Sequence, residues 1–405
     1  MNKREVDPMR LTRAILPLRA PYYMLLVLCA AIMLAACRKP QAVSGPLVDE
    51  TKPILVIGSD DPSATGPGNY KTVLDCQVDR QGNIYIPDQV EKRIDKYDPR
   101  GNYLHSIGRP GQGPGEFQNI GKYAANSQGE VFAHSFSLLS IMIFDAMGSY
   151  SRMVPIPEKY RTSFVTGMGL DSHDNLYMMF VSRQEGSSLA RFSPDLGSAT
   201  VIHVDQKRKP LDYSRASALP PLHIGFSFDD SGNIYIADAI DYRVYVYDEA
   251  GKLVRTFEQE RPRKQFAPGD LVFLLFGQVR DGRDATAIYF GRLEGDDRYL
   301  PNIFGIDVDQ DRIYLWTSDR DDALRYVIDI YDKKFRLLGH SSAYGLLPRR
   351  QTMIRNRRLY TPNLAPEDLN AVRKVGRLSW LNEPSKLLVY DIIWPKKAGN
   401  AGPRR

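Results

Sequence analysis

Three carboxylates at alternate positions form the most suggestive ligand set in this sequence. Asp307, Asp309 and Asp311 in IDVDQD match the opening spacing of a calcium-binding loop, whose oxygens come from alternate residues around a tight turn. That loop also requires glycine at its sixth position and a bidentate glutamate at its twelfth, where this chain has Arg312 and Ser318. A solvated turn is therefore expected, and no metal site is assigned. The six histidines, His105, His134, His173, His203, His223 and His340, include no H-x-x-x-H pair that would aim two imidazoles at one zinc ion. No G-x-S-x-G occurs, and Cys76 has no histidine near it in sequence, so a buried, inert thiol is expected there. The glycines between Gly108 and Gly115 lack the Lys-Ser/Thr ending and the following helix of a phosphate cradle, and read as a linker. Arg349, Arg350, Arg355, Arg357 and Arg358, with Arg373, Lys374 and Arg377 nearby, form a basic patch. Such a patch suits anionic lipid heads, polysaccharide or an acidic partner, and equally suits charged strand edges that discourage edge-to-edge pairing. No catalytic or cofactor-binding residue is assigned.

Charge narrows the partners. The chain of 405 residues carries a formal charge of +6, but residues 1–36 hold five Lys/Arg against two Asp/Glu. The tail after Trp394 adds Lys396, Lys397, Arg404 and Arg405 with no acid, which leaves the body between at −1. A nearly neutral body excludes a general polyanion binder, so no nucleic-acid partner is expected. Of three cysteines, Cys29 and Cys37 lie in or just after the leader, so Cys76 has no partner for an internal disulfide.

The first 36 residues read as an address. A stretch with Lys3, Arg4, Arg10, Arg13 and Arg19 precedes the fifteen-residue apolar run YYMLLVLCAAIMLAA and then Cys37. The run is short for a helix crossing a bilayer, which needs about 20 residues. Leu34-Ala35-Ala36-Cys37 resembles the bacterial lipobox. The resemblance implies that Cys37 receives diacylglycerol and becomes the mature N-terminus, giving an acylated protein of the cell envelope held to the membrane by its lipid. Arg38 stands where some Gram-negative lipoproteins carry a retention aspartate, so the outer membrane is favoured if the cell has two. An uncleaved anchor or ordinary secretory signal is the competing reading, and translation could begin at Met1 or Met9. Residues 37–52 read as a tether.

What remains is built from repeats. VDRQGNIYIPD at 78–88 recurs as FDDSGNIYIAD at 228–238, with weaker copies ANSQGEVFAHS (125–135), LDSHDNLYMMF (170–180), VDQDRIYLWTS (308–318) and IRNRRLYTP (354–362). Their aromatic residues, Tyr85, Phe132, Tyr177, Tyr235, Tyr314 and Tyr360, follow at intervals of 47, 45, 58, 79 and 46. Each copy has an apolar strand end, a polar turn rich in Gly, Asn or Asp, and a second alternating strand, which is a hairpin. Further strands ending in an aromatic-Asp pair follow, as in RIDKYDPRGNYL (93–104) and RVYVYDEAGKLVRTF (243–257). Four-stranded units at about this period are blade-sized and must cover one another around an axis. PILVIGS at 53–59 is placed to complete the last blade and tie the two chain ends.

Residues 105–117, HSIGRPGQGPGEF, resemble the glycine-rich inter-blade connection of NHL-repeat propellers, and GNIYIAD with DYRVYVYDEAGKLVRTF is similar to that family's second and third strands. The resemblance implies an all-β fold, a six-bladed β-propeller of four-stranded antiparallel blades over residues 53–394, with residues 395–405 a basic tail. It implies ligands, where present, at one end of the central channel or across the loops. An insertion at roughly 258–300 departs from the pattern, as an elaborated blade edge or a loop over one face of the channel. The expected function is a monomeric binding or scaffolding module for a protein or polysaccharide of the envelope. The alternative is a lyase or hydrolase with a divalent metal in the channel, in which His134, His173 and His223 from different blades converge.

Overall fold

Four of the recurring hairpins are each held by the polar residue at the base. In the computed structural model the Asp79 carboxylate accepts the Asn83 backbone N–H at 2.8 Å, the Asn83 side-chain amide at 2.8 Å and the Tyr85 hydroxyl at 3.0 Å. Asp171 does the same with Asn175 and Tyr177, and Asp229 with Asn233 and Tyr235. The chain reverses through Gly82 and Gly232 at φ +86° and +80°, conformations that glycine adopts without a Cβ penalty. In the second copy only the side-chain bond reverses: Asn126 still accepts the Glu130 N–H, at 2.9 Å, but donates its amide to the Glu130 carboxylate at 2.7 Å.

The structure describes residues 43–59, 61, 63–70, 73, 75–135, 137–182, 186–205, 225–238, 240–265, 299–321, 325–343, 352–362 and 386–393. Among these, six sheets follow one another around a ring. The first blade comprises Gln77–Val78, Ile84–Asp88, Arg93–Tyr97 and Tyr103–Ile107, and the second Ile120–Ala125, Val131–Ser135, Ser140–Phe144 and Tyr150–Pro155. The third comprises Phe164–Leu170, Leu176–Ser182, Gly186–Phe192 and Ala199–Asp205, and the fourth Gly225–Phe228, Ile234–Asp238, Arg243–Tyr247 and Leu253–Glu258. Ile303–Asp309, Arg312–Arg320, Tyr326–Asp332 and Leu337–Ala343 make the fifth. The sixth has Met353–Arg355, Arg358–Pro362 and Leu387–Asp391, and its outer strand is Leu55–Ile57 from the other end of the chain. This is a six-bladed β-propeller, all-β, with antiparallel pairing among the four strands just given for each blade.

The core lies between blades. Ile141 and Ile143 of the second pack with Met178 and Phe180 of the third, and Tyr235 and Val244 of the fourth with Ile306 and Leu315 of the fifth. Inner strands come close because small side chains face large ones. A Cβ on Gly167 would stand 2.7 Å from the Phe226 ring, so only glycine admits that phenylalanine.

Ring closure follows the expectation for PILVIGS and then exceeds it. Leu55, Val56 and Ile57 pair with Val389, Leu388 and Leu387. Val43–Pro46, within the stretch expected as a tether, also runs parallel to Leu337–Ala343, adding a fifth strand to the fifth blade. Leu47 and Val48 then bury themselves beside Trp316, Tyr326 and Tyr390. Apolar burial at a blade edge, about 1.5–3 kcal/mol for a fully covered Val or Leu, outweighs the chain entropy that a free tether would keep.

Candidate binding site in the central channel

The six inner strands surround a cavity of about 240 Å³ on the ring axis. At the hairpin end, turns are stitched together across it. Arg80 of the first blade donates to the Ser172 carbonyl of the third at 2.7 Å, Gln81 donates to the Ser127 carbonyl, and Ser127 donates both its N–H and its hydroxyl to Asp174. Four residues before the hairpin base of their respective blades, Asp75 and Lys122 meet at 3.5 Å. That shared offset on adjacent inner strands is the signal that would have found them: aligning the copies on Asp79 and Asn126 sets acid beside base. Neither residue was singled out from sequence.

Asp307 is a half-buried acid of the channel wall. Its carboxylate accepts the Trp316 indole N–H at 2.8 Å, and Trp316 is itself fully buried. Burial pushes the Asp307 pKa up to about 7, against the pull of Trp316, the Ile354 N–H and Arg355, while nearby Asp309 adds to the rise. The group therefore changes charge near neutrality. Cys76 lies in the same wall, 3% exposed, and burial raises its thiol well above the ordinary range, with Asp75 and Asp307 adding to the effect. A neutral, inert thiol results, as the sequence led one to expect.

The alternate aspartates are thus separated by role. Asp307 faces the channel, Asp309 accepts the backbone N–H groups of Asn356 and Arg357 at 2.8 and 2.7 Å, and Asp311 pairs with its neighbour Arg312 at 3.2 Å. The histidines are dispersed. His134 is buried in the second strand of the second blade, where burial lowers its pKa to about 4. His173 sits on the hairpin turn of the third blade, 3.8 Å from Glu249. His223 lies outside the described residues, and the described channel lining contains no histidine. Among the described residues no group of three His, Cys, Asp or Glu has the geometry of a metal site.

The other motifs resolve locally. In the glycine-rich connection, the Glu116 carboxylate accepts the N–H groups of Gln112 and Gly113 at 3.0 and 2.9 Å and pairs with Arg109 at 3.0 Å, so the loop's anion place is filled by its own side chain. In the basic cluster, Arg355 lines the channel, the Arg357 N–H joins Asp309, and Arg358 lies 3.4 Å from Asp391. Arg349, Arg350, Arg373, Lys374 and Arg377 lie outside the described residues, as do Cys37 and residues 266–298 of the insertion. The described base of that insertion is clamped to the fifth blade: Arg261 pairs with Asp329 at 2.8 Å and with Asp319, and Lys264 also pairs with Asp319.

The fold and channel place this chain among six-bladed propellers. A family model described as a 6-bladed beta-propeller matches residues 76–193, from the first blade's inner strand into the third blade, which is under half the chain. No curated protein matches. Among solved structures, a putative exported protein from Bacteroides fragilis is 11% identical with TM-score 0.47, covering 86% of this chain and 99% of that one. Regucalcin from Agrobacterium tumefaciens, a calcium-binding protein, is 13% identical with TM-score 0.43, covering 87% and 98%. Virginiamycin B lyase from Staphylococcus aureus is 12% identical with TM-score 0.40, covering 72% and 78%. What those proteins bind or cleave is a property of theirs.

Proposed function

We propose that this chain is an exported, lipid-anchored binding protein of the cell envelope, one copy per anchor, whose channel takes a small polar ligand. The observation that carries the ligand reading is the channel lining. Inner strands of all six blades contribute to one cavity, and they present a cation beside an acid, a second acid that titrates near neutrality, and Arg355. At about 240 Å³ the space is below the range of about 300–1,000 Å³ typical for drug-sized ligands, which favours a compact molecule held by hydrogen bonds and ion pairs. Among the described residues the channel thiol is buried with a raised pKa and no histidine lines the cavity, which supports reading the site as one for binding. Resemblance to NHL repeats supports the same assignment, and a protein or polysaccharide partner on the outer surface is compatible with it.

Two measurements test this. Native mass spectrometry of protein purified from its own membrane should reveal an adduct that disappears on denaturation and weakens in Lys122→Ala. Its absence, together with no thermal shift from a panel of sugars, amino acids and small organic acids, would overturn the ligand reading. Cys37→Ala should abolish incorporation of labelled palmitate, and unchanged labelling would remove the anchor.

A further inference from the structure

We infer that the rim formed by the fifth and sixth blades rests on the lipid surface, with Ile54, Val56 and Ile393 turned toward the bilayer. This rests on the lipid-anchor reading of Cys37. Only residues 38–42 separate that cysteine from Val43, the first residue of the strand added to the fifth blade. A fully extended chain covers at most 3.3–3.6 Å per residue, so the Cys37 backbone lies within about 20 Å of Val43. A compact body the size of residues 53–394 has a radius of gyration of about 20 Å and is about 50 Å across. The leash is thus shorter than half the molecule. A tether running freely to residue 52 would have let the propeller tumble above the membrane; pairing at Val43–Pro46 removes that freedom.

The surface at this point fits a lipid neighbour. From Val43 to Ile57 the chain forms the outer edge of two adjacent blades. Ile54, Val56 and Ile393 are 46%, 44% and 47% exposed there, and their backbones are fixed. The Ile54 N–H donates to the Val389 carbonyl and the Ile393 N–H to the Leu47 carbonyl, both at 2.8 Å. Leu337 and Leu338, partly exposed, open the strand beside Val43–Pro46. Lys52, two residues before Ile54 in the chain, has a side chain 80% exposed and 3.6 Å from Asp49, a cation available to anionic headgroups. A patch of this size binds membranes weakly by itself, at about 25 cal/mol per Å² of apolar surface covered. Its effect comes from a local concentration imposed by the short leash.

The test uses the full lipidated protein in phosphatidylethanolamine and phosphatidylglycerol vesicles that carry a spin-labelled lipid. An environment-sensitive fluorophore is placed at Val56→Cys or Ile393→Cys, and, on the second blade across the ring, at Met147→Cys or Met153→Cys. Quenching should be at least threefold stronger at the first two positions, and a 20-residue Gly/Ser insertion after Arg38 should shrink the difference. Equal quenching at all four sites, with the lipid on Cys37 verified by mass, overturns the orientation while leaving the anchor intact. Absence of lipid on Cys37 overturns the anchor and the orientation with it, and the mass separates the two failures.

Discussion

The third and fifth blades place an aspartate at the same point, the end of the inner strand, and use it differently. Asp171 is spent within its own hairpin, on the N–H groups of His173 and Asn175, the Asn175 amide and the Tyr177 hydroxyl. Asp309 reaches across to the sixth blade and takes the N–H groups of Asn356 and Arg357. The turns explain the change. From Asp171 to its aromatic is six residues, whereas Asp309 to Tyr314 is five, and no asparagine stands in the shorter turn for the carboxylate to grip. A latch that stabilises a hairpin elsewhere becomes a latch between blades where the ring closes.

The largest expected effect comes from removing closure altogether. A chain beginning at Gly58 loses the strands Val43–Pro46 and Leu55–Ile57 and the buried Leu47, Val48 and Ile57. At about 1.5–3 kcal/mol per fully buried side chain it should be destabilised by more than about 5 kcal/mol relative to a chain beginning at Val43. Urea denaturation compares the two, and equal midpoints would mean that the N-terminal segment does not close the ring.

The aspartate pair sharpens the comparison. Asp171→Ala and Asp309→Ala each leave several donors without their acceptor and should each cost about 1–3 kcal/mol. Their reach should differ. Hydrogen exchange should quicken within residues 164–182 in the first, and in residues 353–362 and 387–391 of the sixth blade in the second. If Asp309→Ala leaves the sixth blade as protected as before, the inter-blade latch is not what holds it.

Asp307→Asn should give the smallest change and the most specific one. A carboxyl whose pKa rises from 3.8 to about 7 on folding keeps its proton in the native state while the unfolded chain has lost its own. Its contribution to stability therefore falls as pH climbs from about 4 to 7 and is level above that. Asparagine keeps an acceptor for Trp316 and has no proton to lose. The stability of Asp307→Asn relative to the parent should rise across this window by more than about 1 kcal/mol, a floor set by one pKa unit out of a rise of roughly three. A difference that stays flat with pH would mean Asp307 is ionised throughout.

Much of the fold was legible because its determinants are local. Asp, Gly, Asn and Tyr at fixed offsets specify a hairpin through contacts fewer than seven residues apart, so VDRQGNIYIPD and FDDSGNIYIAD announce their strands unaided. The apolar run at 53–59 was readable as a missing strand because the count of strands demanded one. The channel was harder to read. Asp307 was expected in a solvated turn, not in a channel wall, because spacing along the chain carries no information on which face of a strand meets which neighbour. Asp75 and Lys122 belong to different copies, and their pairing emerges only when two blades stand side by side.

By itself, then, the sequence determined the hairpins, their number, and an apolar run ending in Leu-Ala-Ala-Cys, since each is written in nearby residues. Tertiary structure decided what lies between blades. It set the burial that moves the Asp307 proton, the crossing of Asp309 to the last hairpin, and the parallel docking of Val43–Pro46 on Leu337–Ala343, with Gly45 and its partner Ser341 296 residues apart. The physical reason is separation: a parallel strand pair has no turn to mark it, and desolvation depends on every neighbour that packs in, so neither leaves a local signature.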